Sequence, residues 1–329
     1  MSEVRIEAAE AAKTISEVSE KKWFTGNEVL NYIIEGGIWL WENYIPKGEI
    51  TGITGPSDTG KSTLLRQLAL AIISGATEFL GMPLNVITGH VIYISTEDGI
   101  ISLNQSLPKQ KDGMGINNDC MNQLHFLIDD QDIIFELKKK LETIEADLII
   151  VDSMSDTFDG NANDFVGVRA YMRCLKKLCR DYNCSVILLH HNTKNSEKGA
   201  PDKNKLNGSQ AWEAKMRSLF ELRLGETYNQ RLLTILKGNY IPQELKKQSI
   251  IIDFDGDHLL FNTTGTVYGG TGAAKKQEFS HKYNRAYWVE LMWEMRNDTD
   301  ISYEEARSQL VAIHPEEKVP STTWFKENN

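Results

Sequence analysis

Gly55-Pro-Ser-Asp-Thr-Gly60-Lys61-Ser62 stands directly after a run of β-forming residues, Ile50–Thr54, and opens a helical pattern, Ser62–Ser74. A GxxxxGK[ST] spacing between strand and helix constrains a chain more than any bulk property. Its glycines permit a tight loop whose backbone N–H groups turn inward, and the helix behind it offers its positive end to an anion. Phosphate oxygens fit such a cradle. Gly55, Pro56, Ser57, Asp58, Thr59, Gly60, Lys61, Ser62 and Thr63 are therefore the candidate phosphate-binding residues, with Lys61 on the β and γ phosphates and the Ser62 hydroxyl on Mg²⁺.

The rest of the pattern fits a parallel sheet. Short apolar runs at Val91–Ser95, Leu124–Ile128, Leu148–Val151 and Ser185–Leu189 alternate with helical stretches at Ile133–Ile144 and Asp164–Tyr182. Continuous apolar runs predict strands buried on both faces, and strand–helix alternation predicts an α/β core with a mainly parallel sheet flanked by helices. Beyond these, Ser218–Arg223, Leu232–Leu236, Ser249–Phe254 and His258–Phe261 follow one another through short connections, with Asp255-Gly256 as a hairpin turn between the last two.

Composition limits the partners. With 36 Lys and Arg against 46 Asp and Glu the formal charge is −10, so a polyanion is gripped by a local site and not by a basic coat. The first 22 residues mix charges with alanine and lack the apolar core of a secretory signal, and no stretch reaches the roughly 20 apolar residues of a membrane span. A cytoplasmic protein with no membrane partner is the expectation. Cys120, Cys174, Cys179 and Cys184 form no CxxC pair and read as buried apolar cysteines in a reducing compartment.

Three further groups fall at strand ends, where ligands bind in open α/β sheets. Asp152 closes Leu148–Val151 and is placed to hold the metal opposite the phosphate loop; a helix N-cap is the alternative. Glu97, with Asp98 as the other choice, follows Val91–Ser95 and can orient and deprotonate a water in line with the γ phosphate, a capping role being the rival. His190 and His191 close Ser185–Leu189, where either can hydrogen-bond the γ phosphate.

These segments together resemble the RecA-like ATPases, and within them the RepA-type hexameric replicative helicases of plasmids and mobile elements. The likeness runs from about Trp39 to Phe261. It includes the phosphate loop, Ile94-Ser-Thr-Glu97-Asp98, Val151 through Asp164, His190-His191-Asn-Thr-Lys194, Gly208-Ser-Gln-Ala211 and Lys237-Gly-Asn239-Tyr240. It implies ATP as substrate, Mg²⁺ as cofactor, Glu97 as catalytic base and His191 as γ-phosphate sensor. It also implies a homo-oligomeric ring, hexameric in the family, whose nucleotide lies between subunits. The neighbour's cations would then complete the site, Arg217 resembling the arginine finger and Lys237 the second cation. DnaB-like relatives carry an arginine two positions after that lysine, where this chain has Asn239, and similar proteins carry an arginine after Glu97-Asp98-Gly99, where this chain runs Ser102-Leu-Asn-Gln-Ser.

In such rings the loops after the metal and sensor strands touch DNA. Here the second loop, Asn192–Asn207, carries Lys194, Lys198, Lys203 and Lys205 and is the candidate single-stranded DNA contact, with a merely solvated loop as the rival; the first, Ser153–Asp164, is acidic. Four domains are expected: an N-terminal helical or flexible segment, 1–22; a RecA-like ATPase core, 23–264; a Gly- and Thr-rich linker, 265–277; and a small helical domain, 278–329, with helices at Tyr283–Arg296, Ser302–Val311 and Pro320–Phe325. That last domain reads either as a helix-turn-helix module or as a packing or oligomer-contact domain. Two functions follow: a DNA helicase or translocase in replication of a plasmid, phage or mobile element, or a nucleotide-switched assembly or loading protein that controls a DNA-processing partner without unwinding.

Overall fold

The structure is a computed structural model, and it describes residues 23–31, 37–128, 132–158, 160, 164–191 and 210–269, together with 292, 296, 302–313 and 322. Thirteen strands are described: β1 Trp39–Trp41, β2 Ile45–Pro46, β3 Ile50–Gly55, β4 Glu78–Phe79, β5 Met82–Pro83, β6 Val91–Ser95, β7 Leu124–Ile128, β8 Leu148–Asp152, β9 Ser185–His191, β10 Ser218–Leu224, β11 Gln230–Gly238, β12 Gln248–Asp255 and β13 Leu260–Gly269. The α-helices are α1 Gly26–Leu30, α2 Lys61–Ile73, α3 Ile100–Gly113, α4 Ile133–Leu141, α5 Phe165–Asp181, α6 Gln210–Lys215 and α7 Tyr303–Ile313.

Nine strands form one sheet in the order β13-β12-β11-β10-β3-β9-β8-β6-β7. The six from β10 to β7 in that order are parallel, and β11, β12 and β13 extend them as an antiparallel meander. This is the α/β core with helix-flanked, mainly parallel sheet that the RecA-like resemblance implies. Period-two alternation divides the apolar residues between the faces. Ile53, Leu148, Ile150, Ile187 and Leu189 join the core under α2, while Ile50, Ile149, Val151, Val186 and Leu188 join the one under α4, α5 and α6. Because the strands run the same way, Gly55 pairs with His191 and Ser95 with Asp152, so the ends of β3, β9, β6 and β8 share one edge.

Several expectations are corrected. Leu124–Ile128 is the outermost parallel strand, so only Leu124 is fully buried. The sequence pattern sets no bounds for a helix after Asp98, where the structure has one at 100–113. That helix, α3, contains Pro108 and fully buries only Leu103 and Gln110, with Leu107 partly buried against the core, so its apolar face is short. The connection between β12 and β13 is a four-residue loop closed by the Asp255–Leu260 pair; Asp255 Oδ1 accepts the N–H groups of Asp257 (2.9 Å) and His258 (3.2 Å), so the aspartate stabilises a longer loop than a two-residue turn. The strand β13 continues to Gly269, through the first part of the expected linker. Helix α4 stops at Leu141, three residues early. Cys179 and Cys184 are buried as expected, and burial pushes the Cys179 thiol up to about 12, but Cys174 is exposed on α5.

The chain divides into two compact units, Met1–Ala273 and Ala274–Asn329. In the second, α7 matches the expected Ser302–Val311 helix and starts with a reciprocal cap: Ser302 N–H donates to Glu305 Oε2 at 3.0 Å and Glu305 N–H to Ser302 Oγ at 3.2 Å. The segment 1–22 and the other two C-terminal helices expected from sequence lie outside the described residues, apart from isolated positions. No helix among the described residues is long and apolar enough to cross a membrane.

Candidate nucleotide site

The phosphate loop joins β3 to α2 in the middle of the sheet. Two of its glycines are required by close approach: a Cβ on Gly55 would lie 2.1 Å from the Leu222 carbonyl oxygen, and Gly60, at φ +90°, would bring one to 2.7 Å from the Phe261 ring. Gly60 is also the N-cap of α2 and supplies no capping side chain, and no acidic residue lies in the first turn, so the first helical amides stay open to an anion. Ser57 and Asp58 are exposed at the tip, whereas Thr59 is buried, its hydroxyl donating to the Pro56 carbonyl at 3.0 Å.

Lys61 is buried and folds back over the loop, donating to the carbonyls of Gly55 (3.0 Å) and Pro56 (2.6 Å). Desolvation lowers its ammonium to about 8, and the Asp152, Glu97, Asp58 and Glu221 carboxylates partly offset that loss. A lysine so placed has exchanged water for two carbonyls, which a phosphate can displace.

Asp152 ends β8 and is 3% exposed. The Tyr93 hydroxyl, from the neighbouring β6, donates to Asp152 Oδ2 at 2.5 Å, while Oδ1 is buried without a hydrogen-bond partner. Burial raises the Asp152 carboxyl, and the Tyr93 hydrogen bond, the nearby Ser62 hydroxyl and the Arg66 charge act against that shift. A buried carboxylate oxygen left unpaired is costly unless a cation meets it, so Asp152 fits a metal ligand. Together with the Ser62 hydroxyl it is the donor set expected for Mg²⁺, which takes few protein ligands and fills its shell with phosphate and water.

The two acidic residues after β6 are separated by their surroundings. Asp98 is occupied: its Oδ2 lies 2.9 Å from Nη1 of the buried Arg66, and its Oδ1 accepts the Ser102 hydroxyl at 2.7 Å. Glu97 is exposed, and its charge acts on both Lys61 and Asp152. Thr96 fixes the turn that carries it. The Thr96 N–H donates to the Asp152 carbonyl at 2.8 Å, and its hydroxyl accepts the Ser153 N–H at 2.9 Å and lies 3.1 Å from Asp156 Oδ2. The segments carrying Glu97 and Asp152 are thus tied to each other.

The other candidates lie elsewhere. His191 is at the site edge, paired in register with Gly55, although its side chain is outside the described atoms; His190 is buried. Arg217 and Lys237 sit at the opposite edge of the sheet, beside the starts of β3 and β10. Arg217 Nε is 3.6 Å from Glu49 Oε2, and Lys237 Nζ is 2.9 Å from Glu213 Oε1, so neither joins the phosphate loop of its own chain. Lys194, Lys198, Lys203 and Lys205 lie outside the described residues.

Sequence reasoning missed the supports. Tyr93 reads as one more apolar strand residue, and Arg66 as one more helix residue. Gln67 exchanges two hydrogen bonds with the Phe261 backbone, 2.9 and 2.7 Å, and Gln110 Nε2 donates to the carbonyls of Thr63 (2.9 Å) and Leu259 (3.0 Å). These contacts span up to 194 residues and leave no local sequence signal.

No curated protein matches the chain. A crystal structure of the RadB recombinase aligns with a TM-score of 0.49 and 16% identity, over 67% of this chain and 92% of that one. Residues 30–197, just over half of the chain, match a family model described as an AAA domain. Since that match takes in the phosphate loop, the strand that leads to Glu97 and the strand that ends in Asp152, the chain belongs to the AAA-domain family of P-loop ATPases.

Proposed function

We propose that this protein is a Mg²⁺-dependent ATPase that works as a homo-oligomeric ring on single-stranded DNA, as a helicase or translocase in replication of a plasmid, phage or mobile element. The observation that carries the hydrolytic part is the contrast between Asp98, held by Arg66 and Ser102, and the exposed Glu97 on a turn fixed to Asp152. The loop amides and Lys61 bind the phosphates and orient the γ phosphate toward the carboxylate side of the sheet. Glu97 holds the attacking water and takes its proton. Bound at Ser62 and Asp152, Mg²⁺ would neutralise charge on the phosphate oxygens.

The ring part rests on Arg217 and Lys237. Both are cations at the sheet edge away from their own phosphate loop, an arrangement that suits donation to a neighbouring copy. A finger of this kind stabilises charge on the phosphoryl group as it transfers. The lysine-rich segment after His191 supports the DNA part by charge.

ATPase rate with and without single-stranded DNA across a salt series, beside unwinding of a forked duplex, tests the whole reading. A helicase shows DNA-stimulated, salt-sensitive turnover and strand separation. Stimulation without unwinding favours the assembly or loading protein, and turnover indifferent to DNA contradicts both.

A further inference from the structure

We propose that Arg231, at the start of β11, is a positioning residue of the nucleotide site, a buried positive charge behind the phosphate loop whose counter-charge is the bound nucleotide. The inference rests on the nucleotide reading above. Arg231 is 7% exposed. Its Nε donates to the Thr59 carbonyl of the phosphate loop at 3.0 Å, and its Nη1 to the carbonyls of Tyr228 (2.8 Å) and Gln230 (3.0 Å). The guanidinium lies 5.5 Å from the Phe254 ring centroid, and Phe254 packs on Phe261, the residue that meets Gly60.

What sets Arg231 apart is its company. The other buried arginine and its half-buried counterpart on β10 have carboxylates: Arg66 pairs with Asp98 at 2.9 Å and Arg223 with Glu221 at 2.8 Å. Arg231 meets carbonyl oxygens and a ring, and no carboxylate pairs with it among the described residues. Carbonyl dipoles solvate a cation but do not neutralise it, so burying one this way is costly unless an anion comes close. The residue it holds, Thr59, belongs to the loop built to receive a polyanion.

Two consequences follow. By fixing the Thr59 carbonyl away from the cradle, Arg231 keeps the loop amides turned toward the phosphates. Its charge also adds to affinity in proportion to the charge of the ligand. At an effective dielectric of about 20, a fixed unit charge about 10 Å from a phosphate changes affinity on the order of tenfold per unit of ligand charge. The antiparallel meander is then part of the nucleotide site and not only an extension of the sheet.

Calorimetric titration of ATP, ADP and inorganic triphosphate into the full-length protein and into Arg231→Gln and Arg231→Lys tests this. Arg231→Gln should weaken ATP and triphosphate more than ADP, ATP by about tenfold more for its one extra charge, while Arg231→Lys, which keeps the charge but not the fork, should preserve the ATP-to-ADP preference. An equal loss of ATP and ADP in Arg231→Gln, or no loss in that variant, overturns the inference. If Arg231→Gln does not fold, Arg231→Lys decides: an unchanged ATP-to-ADP preference supports the inference, and a collapsed one overturns it. Failure of the unaltered protein to bind ATP would count against the nucleotide reading itself.

Discussion

Tyr93 takes one carboxylate oxygen of Asp152, at 2.5 Å, and leaves the other buried and unpaired. The phenol is itself buried, and its ionisation is pushed well above the usual range by desolvation and by Asp152, so it remains a donor. On the proposed reading, Tyr93 thereby orients the metal-binding carboxylate from the neighbouring strand. Outer partners of a metal ligand contribute substantially to affinity. Tyr93→Phe should therefore raise the Mg²⁺ concentration needed for half-maximal ATPase by about tenfold. An unchanged Mg²⁺ requirement in a folded variant would assign Tyr93 to packing alone.

Asp98 is held by Arg66 and Ser102, and the proposed mechanism does not use it as the base. Asp98→Asn should leave turnover within a few-fold of the unaltered protein, yet lower stability by about 1–3 kcal/mol because the buried Arg66 loses its anion. Denaturant melts and ATPase rates on the same preparation check this. Lost turnover with full stability would exchange the roles of Asp98 and Glu97.

Without nucleotide, Lys61 sits at about 8, below its ordinary 10.5, because burial disfavours the charged form. Phosphates favour that charged form, so binding above this value takes up a proton. ATP affinity should be flat below about pH 7.5 and then fall as pH rises through 8, by no more than about tenfold per pH unit. Lys61→Arg remains charged and should lose this pH dependence even where it binds more weakly. A flat profile for the unaltered protein up to about pH 9.5 would contradict the assignment.

Arg217 lies across the sheet from its own phosphate loop. Arg217→Ala should cut turnover in a way that more ATP does not rescue, and mixing it with Lys61→Ala subunits should restore activity, since a mixed interface can pair an intact loop with an intact arginine. No recovery in confirmed mixed assemblies would remove the finger.

The legible parts of this protein are those written in short stretches. Leu148–Val151 is continuously apolar because β8 is covered on both faces, and Gly55–Ser62 spells its loop because only glycine fits at Gly55 and Gly60. Helix α3 is hard to read because it rests on the protein through Leu103, a partly buried Leu107 and the amide of Gln110, and Pro108 interrupts the pattern. Arg231, Arg66 and Tyr93 were illegible for another reason: each acts on a residue 32 to 172 positions away, and only the folded sheet brings them together. Asp98 shows the same limit, since its sequence neighbours do not distinguish it from Glu97 but Arg66 does.

Glu97 is the proposed base of this phosphate-loop ATPase. Parallel measurement of ATP binding and of phosphate release by Glu97→Gln tests it most directly. The account predicts affinity for Mg²⁺-ATP within a few-fold of the unaltered protein and turnover lower by about a hundredfold or more. Turnover at the unaltered rate, with binding intact, would contradict it.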